Sequence, residues 1–163
     1  MSLGDIIDQI KSYQTKYITI TGGEPLAQKN CLALMEQLCD QNFSVSLETS
    51  GALDVAKVDQ RVNKVIDLKT PGSLEEEKND YKNLPFINQE DEIKFVICDR
   101  NDYEWAKNIM DKHQLSKLCG ILFSPVANEI KSADLANWIL EDNLPVRFQV
   151  QLHKLLWDDE PGH

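Results

Sequence analysis

The sequence predicts an α/β protein: a parallel sheet with helices packed outside it. Three observations carry this expectation. Short runs rich in β-branched and aromatic residues alternate with runs whose apolar residues repeat at helical spacing. The segments between successive strand-like runs are too long for hairpins, which argues for parallel crossovers. Finally, 163 residues with 42% hydrophobic content suffice for one compact domain, expected over 1–163, and the chain has no repeat of fixed period and no linker-like stretch.

In chain order, Asp5 to Tyr13 places Ile6, Ile7, Ile10 and Tyr13 on one face of a short helix. Tyr17-Ile18-Thr19-Ile20-Thr21 alternates in polarity and reads as a strand, which ends abruptly at Gly22-Gly23. Glu24 supplies a carboxylate at that turn, and Pro25 suits the first position of a helix. Cys31, Leu34, Met35 and Leu38 mark the next helix, ending near Gln41-Asn42, and Phe43 to Glu48 the second strand, stopping at Thr49-Ser50-Gly51. Asp54 to Arg61 is a weaker helical segment, and Lys64 to Leu68 is the third strand. From Gly72 to Asn79 the composition is polar and acidic, so a surface loop is expected, with a turn of helix before Leu84-Pro85. Glu92 to Cys98 reads as the fourth strand, and Asn101 as the cap of a helix buried through Trp105, Ala106, Ile109 and Met110. Leu118 to Phe123 is the fifth strand. Ser132 then caps a helix carrying Leu135, Ala136, Ile139 and Leu140, and Val146 to Leu152 alternates as a sixth strand before an acidic tail.

The formal net charge of −10 disfavours a nucleic-acid partner, because phosphate binding relies on Lys and Arg. The acidic clusters Glu75-Glu76-Glu77 and Asp158-Asp159-Glu160 read as solvated surface. The N-terminus lacks the pattern of a secretory signal, and no apolar run reaches membrane-spanning length, so no membrane partner is expected. Cys31, Cys39, Cys98 and Cys119 are widely spaced and read as reduced, buried thiols of a cytoplasmic protein.

In parallel α/β sheets, ligands bind at the carboxyl ends of the strands. Here those ends carry Thr21-Gly22-Gly23-Glu24-Pro25, Glu48-Thr49-Ser50-Gly51, Asp67-Leu68-Lys69, Cys98-Asp99-Arg100, Ser124-Pro125 and Gln151-Leu152-His153-Lys154. If the topology brings them to one rim, that rim suits a small polar molecule bearing both charge signs. Ordinary structural readings stand beside this one: Glu48 as an exposed carboxylate, Lys69 and Lys94 as lysines snorkelling to solvent, and His153 as a satisfied structural histidine. No nucleophile elbow or phosphate loop is present, which leaves hydrolase and triphosphatase readings without support.

Gly22-Gly23-Glu24-Pro25 after a strand resembles the cofactor contact of radical S-adenosylmethionine enzymes. Together with Leu47-Glu48-Thr49-Ser50-Gly51, Phe123-Ser124-Pro125 and Arg147 to Lys154 it resembles one family, 7-carboxy-7-deazaguanine synthase, over nearly the whole chain. The resemblance implies an incomplete parallel (β/α) barrel, the C-terminal portion of a radical S-adenosylmethionine core, with its first strand and cluster loop missing and Met1-Ser2-Leu3 as a leader. It implies a carbon–nitrogen lyase that contracts the ring of 6-carboxy-5,6,7,8-tetrahydropterin in queuosine biosynthesis. The expected cofactors are S-adenosylmethionine, a four-iron four-sulfur cluster and magnesium, with an electron-donor protein and a homodimer as partners.

By this resemblance S-adenosylmethionine meets Gly22, Gly23, Glu24, Glu48, Thr49, Ser50, Asp67, Lys69, Ser124 and Pro125, and the substrate meets Thr21 and His153. Many relatives carry Ser-Pro-Lys where this chain has Asp67-Leu68-Lys69, so only the lysine matches. A larger departure concerns the cluster. Family members place three clustered cysteines before the Gly-Gly-Glu-Pro strand, whereas the first cysteine here is Cys31, so no cluster and no turnover are expected from this chain alone. The competing reading is a naturally short, non-catalytic protein of the same ancestry that binds a small ligand or a partner.

Overall fold

The computed structural model describes residues 1–127, 129–152 and 156. Helix α1 (Leu3–Ser12) leads into strand β1 (Tyr17–Ile20); α2 (Cys31–Asp40) then leads to β2 (Ser44–Thr49) and β3 (Asn63–Leu68). Three short 3-10 turns precede β4 (Glu92–Ile97), followed by α3 (Arg100–His113), β5 (Gly120–Pro125), α4 (Ser132–Glu141) and β6 (Arg147–Phe148). The six strands form one parallel sheet in the order β1-β2-β3-β4-β5-β6, so every strand pairs with its neighbour in sequence. This is an incomplete (β/α) barrel, whose sheet does not close among the described residues.

One face of the sheet carries the core. Val45, Leu47, Ile66, Leu68, Ile93, Phe95, Ile97, Ile121 and Phe123 pack against Met35 and Leu38 of α2, Tyr103, Ala106, Ile109 and Met110 of α3, and Leu135 and Ile139 of α4. The alternate residues, among them Thr19, Ser46, Glu48, Asp67, Glu92 and Lys94, occupy the other face, which no described helix covers. Among the described residues no helix is long and apolar enough to cross a membrane.

Several elements differ from the sequence expectation. Residues 54–61 form turns rather than a helix, because Asp54 and Asp59 each accept a hydrogen bond from the amide two residues on. Helix α3 is capped by Asp99, whose carboxylate accepts from the Asp102 amide, and not by Asn101; in α4 Ser132 is the first helical residue rather than the cap, a position Lys131 takes without a side-chain hydrogen bond. Strand β6 stops at Phe148, so the alternation up to Leu152 does not extend the ladder. In α1 only Ile7 is buried, and Tyr13 is 69% exposed.

Candidate functional site

The carboxyl ends of the parallel strands do form one rim. At its β1 end, Gly22 and Gly23 take φ of 95° and 54°, and an added Cβ at either would meet nothing within 4 Å. Backbone in this left-handed region favours glycine, and its polar groups here lie open to a ligand. What fixes the turn is Glu24. Its Oε1 accepts from the Leu26 amide (3.1 Å) and the Thr49 hydroxyl (2.8 Å), while Oε2 accepts from the Ser50 amide (3.0 Å) and hydroxyl (2.6 Å). Burial pushes the Glu24 pKa up, but these hydrogen bonds outweigh it and hold the carboxyl below its ordinary value. Glu24, Thr49 and Ser50 thus satisfy one another, joining the end of β1 to the end of β2. Glu48, one residue earlier, points to the uncovered face and is exposed.

Behind β2, Gly51 at φ 71° leaves its carbonyl to the buried Asn83, whose amide also holds the Leu53 carbonyl and the Val55 N–H. After β3, the Asn79 side chain brackets the Lys69 backbone, accepting from its N–H at 2.8 Å and donating to its carbonyl at 2.9 Å. The Lys69 ammonium donates to Asp67 Oδ2 at 2.9 Å, whereas Asp67 Oδ1 is buried and has no hydrogen-bond partner among the described residues. Asp67 and Lys69 line a cavity of about 340 Å³ together with Thr70, Cys98, Glu129 and Gln151. Ser124 and Pro125 are buried at the end of β5, beside Val96 and Ile97 of β4.

The expected site residues thus fall into groups. Thr21, Gly22, Gly23 and Glu48 are accessible at the rim; Glu24, Thr49 and Ser50 brace it; Asp67 and Lys69 pair with each other; Ser124 and Pro125 are buried. His153 lies outside the described residues. Asp102 and Asn83 escaped the sequence reading. Asp102 is buried and accepts from the Thr70 hydroxyl, the Gly72 amide and the Cys98 amide, tying the loop after β3 to the end of β4. Its only signal in the sequence is its place three residues after the capping Asp99.

Comparison with known proteins supplies the rest. The chain is 38% identical over 163 residues to the 7-carboxy-7-deazaguanine synthase of Chlorobaculum tepidum, covering 98% of this chain and 74% of that protein. It is 41% identical over 157 residues to the synthase of Koribacter versatilis, covering 88% of this chain and 70% of that one. The chain belongs to the 7-carboxy-7-deazaguanine synthase family. No general family model matches. The crystal structure of QueE from Escherichia coli shares the fold with a TM-score of 0.70 at 21% identity, over 93% of this chain and 64% of that one. Streptococcus suis SuiB bound to S-adenosylmethionine shares it at 0.61 and 17% identity, over 90% of this chain and 40% of that one.

Within the synthase family, the residues present fit the two cofactors unequally. The open Gly22-Gly23 backbone fits a zwitterionic ligand carrying N–H donors. The thiols do not fit an iron–sulfur cluster. Cys31 and Cys39 sit at opposite ends of α2, Cys98 follows β4, and Cys119 precedes β5. Burial raises all four pKa values, that of Cys98 to about 12 and that of Cys119 to about 11, so without a metal all four are neutral thiols. Among the described residues there is no group of three or more His, Cys, Asp or Glu arranged for a metal.

Proposed function

We propose that this chain provides the cofactor and substrate rim of a 7-carboxy-7-deazaguanine synthase, a radical S-adenosylmethionine lyase that contracts 6-carboxy-5,6,7,8-tetrahydropterin toward queuosine. The observation that carries the reading is identity of 38% along 98% of the chain. In it, Gly22 and Gly23 present backbone to the methionyl amino group and Lys69 meets its carboxylate. Glu24 positions Thr49 and Ser50, and Glu48, Ser124 and Pro125 border the cofactor. Thr21 and His153 stand on the substrate side. Magnesium and an electron-donor protein belong to the same reading, as does a single domain over 1–163.

The bound cofactor supplies the radical; the protein holds it against the substrate and keeps water away. Because the four thiols cannot assemble a cluster site, this chain alone binds without turning over. Calorimetry with S-adenosylmethionine, followed by an anaerobic assay of an iron- and sulfide-reconstituted sample, tests both parts. Binding without product is the expected result. Product formation overturns the inactivity, and failure to bind any member of the cofactor and pterin set overturns the functional reading. The disfavoured cluster set also suits a naturally short binding protein of this ancestry; a mass of 18.6 kDa for the protein isolated from its native source favours that alternative.

A further inference from the structure

The uncovered face of the sheet has a charge arrangement that the family reading does not use. Glu92, Lys94 and Val96 alternate along β4 with the buried Ile93, Phe95 and Ile97, so they project away from the helices. In register, Lys94 lies beside Asp67 of β3 on one side and Leu122 of β5 on the other, with Arg147 of β6 beyond Leu122. The two carboxylates that register and alternation place beside Lys94, Glu92 and Asp67, are both engaged by other cations. Arg147 reaches Glu92 Oε1 at 2.7 Å, and Lys69 holds Asp67 Oδ2 at 2.9 Å. Among the described residues Lys94 makes no ion pair and no hydrogen bond, although it is only partly exposed. One strand away, Asp67 Oδ1 is buried and has no donor among those residues.

An unpaired ammonium on a half-buried sheet face is poorly solvated, and a carboxylate arriving there gains a charge-assisted hydrogen bond. A free acceptor oxygen on the next strand adds a demand for an N–H close to that carboxylate. We propose that Lys94 is the residue that recognises the carboxylate of the substrate, with Asp67 Oδ1 taking a ring N–H beside it. The ligand class is a heterocycle bearing a carboxylate next to a ring N–H. The choice of a pterin as that heterocycle rests on the functional reading above; the charge arrangement does not.

Two ligand pairs, handled anaerobically, separate the two ideas: 6-carboxy-5,6,7,8-tetrahydropterin against 5,6,7,8-tetrahydropterin, and indoline-2-carboxylate against its neutral carboxamide, each acid carrying a ring N–H beside its carboxylate. Binding of each is measured calorimetrically to the wild type and to Lys94→Gln and Lys94→Arg, with thermal melting to confirm that the variants fold. The wild type is expected to prefer the carboxylated pterin by on the order of tenfold. Lys94→Gln is expected to abolish the preference, and Lys94→Arg to retain most of it. A Lys94-dependent preference confined to the indoline pair supports carboxylate recognition and overturns the pterin reading. A preference that survives in Lys94→Gln, or no carboxylate preference in either pair, overturns the proposal.

Discussion

At the scale of single residues, the turn after β1 depends on Glu24 acting as an internal brace. A carboxylate has about four acceptor positions, and all are filled by Leu26, Thr49 and Ser50. Its folded-state pKa is lowered, so its contribution to stability is complete above the unfolded value of ~4.3 and is lost as pH falls through the folded value. The urea midpoint of the wild type should therefore drop on acidification through that window, and Glu24→Gln should flatten the drop. Glu24→Ala, which strands the Ser50 and Leu26 amides, should cost about 1–3 kcal/mol at neutral pH. An unchanged acid profile in the Gln variant would show that the brace carries no such role.

At the scale of elements, the junction between β3 and β4 is held from below by a buried ion pair. Lys64 and Asp91 meet at 2.8 Å with side chains 4% and 0% exposed. Asp91 also accepts from the Lys64 amide at 2.7 Å and the Asn88 amide at 2.9 Å. Removing the carboxylate leaves a buried ammonium without compensation, so Asp91→Ala should destabilise by about 3–5 kcal/mol in chemical denaturation. The exposed pair of Arg61 with Asp40 gives the control, since Asp40→Ala should cost no more than about 1 kcal/mol. Equal losses in the two variants would contradict this account.

The strands were legible because their alternation reflects two different faces, as in Ile93, Phe95 and Ile97 against Glu92, Lys94 and Val96. Residues 54–61 depart from the expected helix because helical spacing of apolar residues says nothing about Asp54 and Asp59 capturing nearby amides. The rim was legible as a set of strand ends. That Glu24 faces Thr49 and Ser50 rather than a ligand, and that Asp102 gathers Thr70, Gly72 and Cys98, depends on contacts over 25 or more residues for Glu24 to Thr49 and 30 or more for Asp102 to Gly72 and Thr70. Local pattern carries no trace of such contacts.

At the scale of the whole molecule, the sheet ends at β1, whose outer edge has no partner strand among the described residues. Tyr17 is 80% exposed there, and Tyr13, just before it, is 69% exposed. Unpaired edges with exposed aromatic residues favour pairing with another chain. We expect the protein to dimerise in solution; light scattering that returns a monomer mass at every concentration would overturn this expectation.

The sequential strand order has a kinetic consequence. Each strand docks beside the one made just before it, and the partners Ser46 and Asn63 or Lys94 and Leu122 are separated by short stretches of chain. Loop closure is therefore cheap at every step for a parallel sheet, and no strand must wait for a distant partner to be synthesised. The chain can build its sheet from β1 towards β6 as it leaves the ribosome.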